Sequence, residues 1–90
     1  MRFLYPYWDH FIIRKVVNEF EENQNPLIVL EVGTHTQRLL ATSRLINANI
    51  IVYVDLYPKY QGKLMNGIPI IHPEGLADMH EPILVSSRIS

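Results

Sequence analysis

Seven residues in two short stretches could act together on a ligand: Glu31, Gly33, Thr34, His35 and Thr36 in "LIVLEVGTHTQRLL" (27–40), and Asp55 and Tyr57 in "IIVYVDLY" (50–57). The first five lie where an apolar run gives way to a helical pattern. A helix that starts directly after a strand points its first backbone amides outward and favours an anion there. An acid about 20 residues further on, at the end of the next strand, is the residue type that holds ribose hydroxyls. Tyr57, with Lys59 and Tyr60 on the same loop, could stack on a base.

Glycine is scarce in this turn. A dinucleotide-binding turn uses one glycine for the bend, a second for close approach to the pyrophosphate and a third for helix packing. Here those positions read Glu31, Gly33 and Thr36. Two negative charges about 4 Å apart repel by roughly 4 kcal/mol at an effective dielectric near 20. A helix terminus offers an anion only about 0.3–1 kcal/mol. Glu31 therefore handicaps a diphosphate in the usual pose, whereas a ligand with a hydroxyl or amine at that point escapes the penalty. NAD, a nucleotide sugar and S-adenosylmethionine all remain candidate ligands. The structural alternative is that Gly33 is simply a turn residue, that Asp55 caps a loop, and that His35 donates to a backbone carbonyl instead of a ligand oxygen.

Other chemistry has less support. The four histidines (His10, His35, His72, His80) lack the i, i+4 spacing of a helical zinc site, and there are no cysteines to complete a ligand set or form disulfides. Ser86 and Ser87 end an apolar stretch with no glycine for a nucleophile elbow. The sequence predicts no catalytic residue and no metal site. Net charge is −1 and the basic residues are scattered, which gives no electrostatic case for nucleic acid or an anionic membrane. No apolar run is long enough to cross a bilayer, and "MRFLYPYWDHF" has no signal-peptide core. These features predict a cytoplasmic protein.

The elements that must position the seven residues follow from periodicity. "PYWDHFIIRKVVNEFEEN" reads as a helix, with Pro6 and Asp9 early and an apolar stripe of Trp8, Phe11, Ile12, Val16 and Phe20. Residues 27–32 and 50–55 read as strands covered on both faces. Between them runs a helix capped by Thr34 or Thr36, with a stripe of Leu39, Leu40, Ser43 and Ile46. Asn66-Gly67 marks a tight turn before a short strand at Ile68–Ile71, "HPEGLADMHEP" holds one or two helical turns, and 83–87 is a last strand. Alternating strands and helices imply a mainly parallel sheet with helices on both faces. Ninety residues make one domain, 1–90, with an N-terminal helix over 1–26 and a β-α-β core over 27–90. The chain stops right after the last expected strand, so we expect a domain excised from a longer protein. Trp8, Tyr5, Tyr7 and Phe11 crowd the first helix and suit either core packing or a docking face for a neighbouring domain or a second copy.

A wider pattern runs through 27–87. Gly33, His35 and Thr36, the pair Leu39-Leu40, Asp55, then Gly62, Gly67 and Pro69, Pro73-Glu74, and Ser86-Ser87 follow one another. This resembles a family of Rossmann-like domains found in sugar-modifying proteins, beside glycosyltransferase-like or methyltransferase-like modules and at the front of sugar-nucleotide acetyltransferases. Their loop carries Gly-Ala where this chain has Glu31-Val32. The resemblance implies a small three-layer Rossmann-like sheet of about four parallel strands. It implies a small-ligand-binding or accessory domain, non-catalytic by itself and part of a transferase, with other domains of the parent protein as partners. Of the candidate ligand-holding residues Glu31, Gly33, Thr34, His35, Thr36, Asp55 and Tyr57, the resemblance carries Gly33, His35, Thr36 and Asp55, and Glu31 departs from it.

Overall fold

The computed structural model describes residues 2–4 and 10–85. Tyr5, Pro6, Tyr7, Trp8, Asp9, Ser86 and Ser87, which the sequence reading used, lie outside the described residues. The elements are β1 (Arg2–Leu4), α1 (His10–Asn23), β2 (Leu27–Leu30), α2 (Thr34–Thr42), β3 (Ile50–Val54), β4 (Leu64–Met65), β5 (Ile68–Ile71) and β6 (Pro82–Val85). Short 3₁₀ turns cover Arg44–Asn47, Pro58–Tyr60 and Pro73–Asp78.

The protein is α/β, with a mostly parallel sheet in the order β1-β6-β2-β3-β5-β4. Five strands pair in parallel, and β4 joins β5 as an antiparallel hairpin. About four strands were expected. The two additional ones are β1, whose three residues carry too little pattern to be read as a strand, and β4, which has only two. The hairpin follows from Asn66 (φ 54°) and Gly67 (φ 80°): two successive left-handed residues make the tight turn whose twist matches a hairpin.

Alternate side chains of the sheet enter two cores. Leu27 and Val29 of β2, Tyr53 of β3, Ile70 of β5 and Leu84 of β6 pack with Ile13 and Val17 of α1 and Leu40 of α2. Ile28, Val54 and Ile83 face the other way, against Leu76 in the 3₁₀ turn 73–78. Both α-helices therefore lie on one face, not on opposite faces as expected. The strand order supplies the reason. The steps β1 to β2, β2 to β3 and β3 to β5 all advance in one direction across the sheet, and right-handed connections then fall on one side. Only the return from β5 to β6 reverses direction, and its 3₁₀ turn covers the second face.

The helix stripes also differ from the sequence reading. In α1 the core face is Ile13, Val16, Val17 and Phe20, at i, i+3, i+4 and i+7. Phe11 is 71% exposed and Ile12 45%, and Lys15 Nζ sits 5.3 Å from the Phe11 ring centre. After α2 the chain tightens into the 3₁₀ turn 44–47, which buries Leu45 and leaves Ile46 outside. Thr34 and Thr36 do not cap α2. Its N-cap is Gly33, and both threonines are inside the helix. Ser43, expected in the stripe, instead accepts the Leu45 amide at 3.2 Å and so starts the next turn. At the end of α1, Gln24 (φ 55°) adopts the left-handed conformation that ends helices, and its side chain donates to Asn47 O at 2.9 Å. Arg44 approaches Glu21 and Glu22 at 3.8 and 3.6 Å.

Tyr53 is fully buried, and its hydroxyl has no partner in hydrogen-bond geometry. Burial raises its pKa above the ordinary 10.0; Asn66 opposes the shift without reversing it. A buried donor without a partner costs about 1–3 kcal/mol. Tyr53→Phe should therefore leave stability unchanged or raise it by up to about 1 kcal/mol in urea unfolding at neutral pH. The sign at high pH follows from linkage. The folded state holds this proton more tightly, so the contribution is intact below pH 10 and fades as pH rises past the raised value. Alkaline unfolding of Tyr53→Phe should set in at higher pH than in the wild type.

Candidate functional site

A cleft of about 630 Å³ opens at the C-terminal ends of β2, β3 and β5, lined by Leu30, Glu31, Gly33, Val54, Asp55, Leu56, Tyr57, Tyr60 and Pro73. That volume suits a small organic ligand. Its location has a topological cause. The connection leaving β3 stays on the helix face, where Tyr60 and Met65 pack against that core, whereas the connection leaving β5 crosses to the other face. The cleft is walled by the turn after β2 and the loop after β3, at the C-terminal edge where open α/β sheets usually hold ligands, and the crossing β5 connection brings Pro73 to it. A second hollow of about 540 Å³, lined by Glu19, Asn23, Asn25, His80 and Glu81 among others, lies at the opposite end, where β2 and β6 begin.

Asp55 organises the cleft. Its Oδ2 accepts the Val32 amide at 3.0 Å and its Oδ1 the Tyr57 amide at 2.9 Å. One carboxylate thus fixes both turns, the one into α2 and the one after β3. The Asp55 amide donates to Ile71 O at 3.1 Å, which ties in the end of β5. Gln61 Nε2 donates to Asp55 O at 2.5 Å and to Tyr57 O at 3.3 Å, so the 55–61 loop is folded back on itself. On that loop the Tyr57 and Tyr60 rings lie 5.8 Å apart, and Lys59 Nζ stands 5.2 Å from each ring centre. The cation is close enough to both π faces to be held by them. Tyr57 is 60% exposed, so much of its ring is open to a planar group.

The turn between β2 and α2 holds two unusual residues. Glu31 has φ 71°, the left-handed region that glycine occupies at no cost, and its amide donates to Val54 O at 2.6 Å. Gly33 is the reverse case. Its φ is −75°, which any residue adopts, and a Cβ built there meets nothing within 4 Å. The chain itself needs no glycine at 33, while the strained position, 31, carries a glutamate.

Four of the seven sequence-predicted residues line the cleft: Glu31, Gly33, Asp55 and Tyr57. Thr34, His35 and Thr36 instead surround a separate recess of about 40 Å³ at the start of α2, which Glu31 and Gly33 also border. Thr36 is buried at 1% exposure, so it belongs to the packing of α2. Leu30, Val54, Leu56 and Pro73 were not anticipated. Leu30 and Val54 end the strands beside the acids, a position the strand assignments implied. Pro73 enters through the β5 connection, which no local pattern links to the turn. Among the described residues no group of three or more histidines, aspartates or glutamates could hold a metal, and no helix is long and apolar enough to cross a membrane. In comparisons with known proteins, no family model, curated sequence or solved structure matches the chain.

The double role of Asp55 makes it the residue on which the local structure should be most sensitive. Asp55→Asn keeps one acceptor oxygen and replaces the other with a donor that faces an amide. It should lower stability by about 1.5–3 kcal/mol, the scale of a hydrogen bond to a charged group, and broaden the Val32 and Tyr57 amide resonances. Glu31→Gly should do the opposite. Relief of the left-handed backbone, about 1–2 kcal/mol, exceeds the entropic cost of glycine, about 0.5–1 kcal/mol, and the urea midpoint should rise.

Proposed function

We propose that this chain is a small-ligand-binding module that takes a nucleotide-like molecule at the C-terminal rim of its sheet and performs no chemistry by itself. The observation that carries the reading is Gly33: a glycine that neither its backbone angles nor its packing requires, facing a cleft beside the first amides of α2. Its bare backbone is what a ligand approaching the helix start would use. Asp55 at the neighbouring strand end suits ribose hydroxyls, and the Tyr57–Tyr60 pair suits a base. NAD, a nucleotide sugar and S-adenosylmethionine are the candidate classes. The motif resemblance supports a Rossmann-like module of a sugar-modifying protein, where other domains would supply the reaction.

A second reading has its own support. Both oxygens of Asp55 already accept backbone amides, and Phe11 and Ile12 stand exposed on α1. A domain that only joins or orients other modules, or a second copy of itself, would look the same in those respects.

Amide chemical shifts recorded during titration with NAD, a UDP-sugar and S-adenosylmethionine separate the two. Binding should move Gly33, Asp55 and Tyr57 with at least one ligand; silence with all three would favour the joining role. Gly33→Ala sharpens the test. Its thermal midpoint should stay level or rise slightly, because the added methyl meets open space and stiffens the unfolded chain. The same variant should lose ligand affinity by about tenfold or more through the obstructed helix start. A variant that is equally stable and binds equally well would contradict the ligand reading of this turn.

A further inference from the structure

Glu31 stands at the meeting of the large cleft and the small recess that surrounds the start of α2. The recess measures about 40 Å³, room for about one water molecule and not for a diphosphate. The backbone at Glu31 is held in the left-handed region, at an angle a glycine would tolerate better. Glu31 is exposed and lines both spaces. The first turn of α2 itself holds no acid, and Glu31 lies two residues before its N-cap, Gly33. The cleft lining holds two carboxylates, Glu31 and Asp55, and no basic residue; Lys59 stands next to it over the tyrosine rings.

Resting on the ligand-binding reading above, we propose that Glu31 supplies from within the chain the negative charge that a ligand phosphate would bring to the start of α2. The cleft is thereby selective for a nucleoside whose substituent at that end is neutral or cationic, an alcohol, amine or sulfonium, and it discriminates against a diphosphate. Glu31 is the specificity-determining residue, and Asp55 with the tyrosine pair holds the part that both ligand types share. The selection is electrostatic, so it weakens with added salt as the rim charges are screened.

The test compares adenosine with ADP, and uridine with UDP, on the full chain by amide shifts and calorimetry. Wild type, Glu31→Gln and Glu31→Gly are measured at low and high ionic strength. Glu31→Gln removes the charge and keeps the size; Glu31→Gly also removes the backbone strain, so a folding defect in one does not compromise the other. In the wild type the nucleoside of the preferred base should bind about tenfold or more tighter than its diphosphate. In either variant the ratio of nucleoside to diphosphate affinity, measured within the same protein, should fall to about one, and high salt should narrow the wild-type gap. Equal wild-type affinity for nucleoside and diphosphate, or a gap that both variants preserve, would overturn the role of Glu31 and leave the cleft itself standing as a binding site. If neither nucleosides nor diphosphates perturb Gly33, Asp55 or Tyr57 in any of the three proteins, the binding reading fails and the selectivity proposal falls with it.

Discussion

Asp55 directly follows the central strand β3, and every polar group it owns is used to join something else. Its carboxylate accepts the amides of Val32 and Tyr57, its own amide reaches Ile71, and its carbonyl receives Gln61. Two strand ends and two turns converge on one residue. An ionised acceptor bonded to two backbone amides is stronger than a neutral pair, because charge is added to the dipole attraction. Without it, the turn into α2 and the loop carrying the tyrosines would be separate excursions from the sheet. With it, they become two walls of one cleft, held in place before any ligand arrives. Preorganisation of this kind reduces the ordering cost that binding would otherwise carry.

That convergence depends on strand order. β2, β3 and β5 are neighbours because three successive connections advance in the same direction, and they place α1, α2 and the tyrosine loop on a single side. β6 then returns between β1 and β2, through a 3₁₀ turn on the far side. The asymmetry has an energetic consequence. Among the described residues, the helix face holds the larger core, whereas Leu76 and Met79 pack over the second face. It also has a functional one: the β5 connection, crossing to the far side, brings Pro73 to a cleft walled by the turn after β2 and the loop after β3.

Much of the central architecture was legible in the residues. The runs 27–30 and 50–54 are apolar and rich in Val and Ile, which suits strands covered on both sides, and Asn66-Gly67 has the backbone freedom that its hairpin demands. Gly33 and Asp55 could be placed at neighbouring strand ends because a strand, one helix and the next strand leave few alternatives. The helix faces were less legible. In α1, Phe11 and Ile12 look as suited to a core as Ile13 and Val17, and hydropathy alone does not say which arc of a helix meets a sheet. Thr36 looks like a ligand contact from its place in the turn, yet it is the third residue of α2 and points inward. Its role depends on where the helix begins, which is set by the backbone at Gly33 and not by the threonines.

By itself the sequence determined that this is an α/β protein with a parallel strand-helix-strand unit and an acid at the end of its second strand. Those features rest on local chemistry: apolar runs, turn residues and the short reach of the connections. Tertiary structure alone decided that a three-residue strand near the N-terminus pairs with β6, that both helices share one face, and that Pro73 comes up beside Glu31 and Asp55. It also decided that the glutamate, and not the glycine, occupies the left-handed position in the turn. These outcomes come from packing and pairing between segments far apart in the chain. Their free energy depends on which surfaces meet, and no single stretch of residues carries that information.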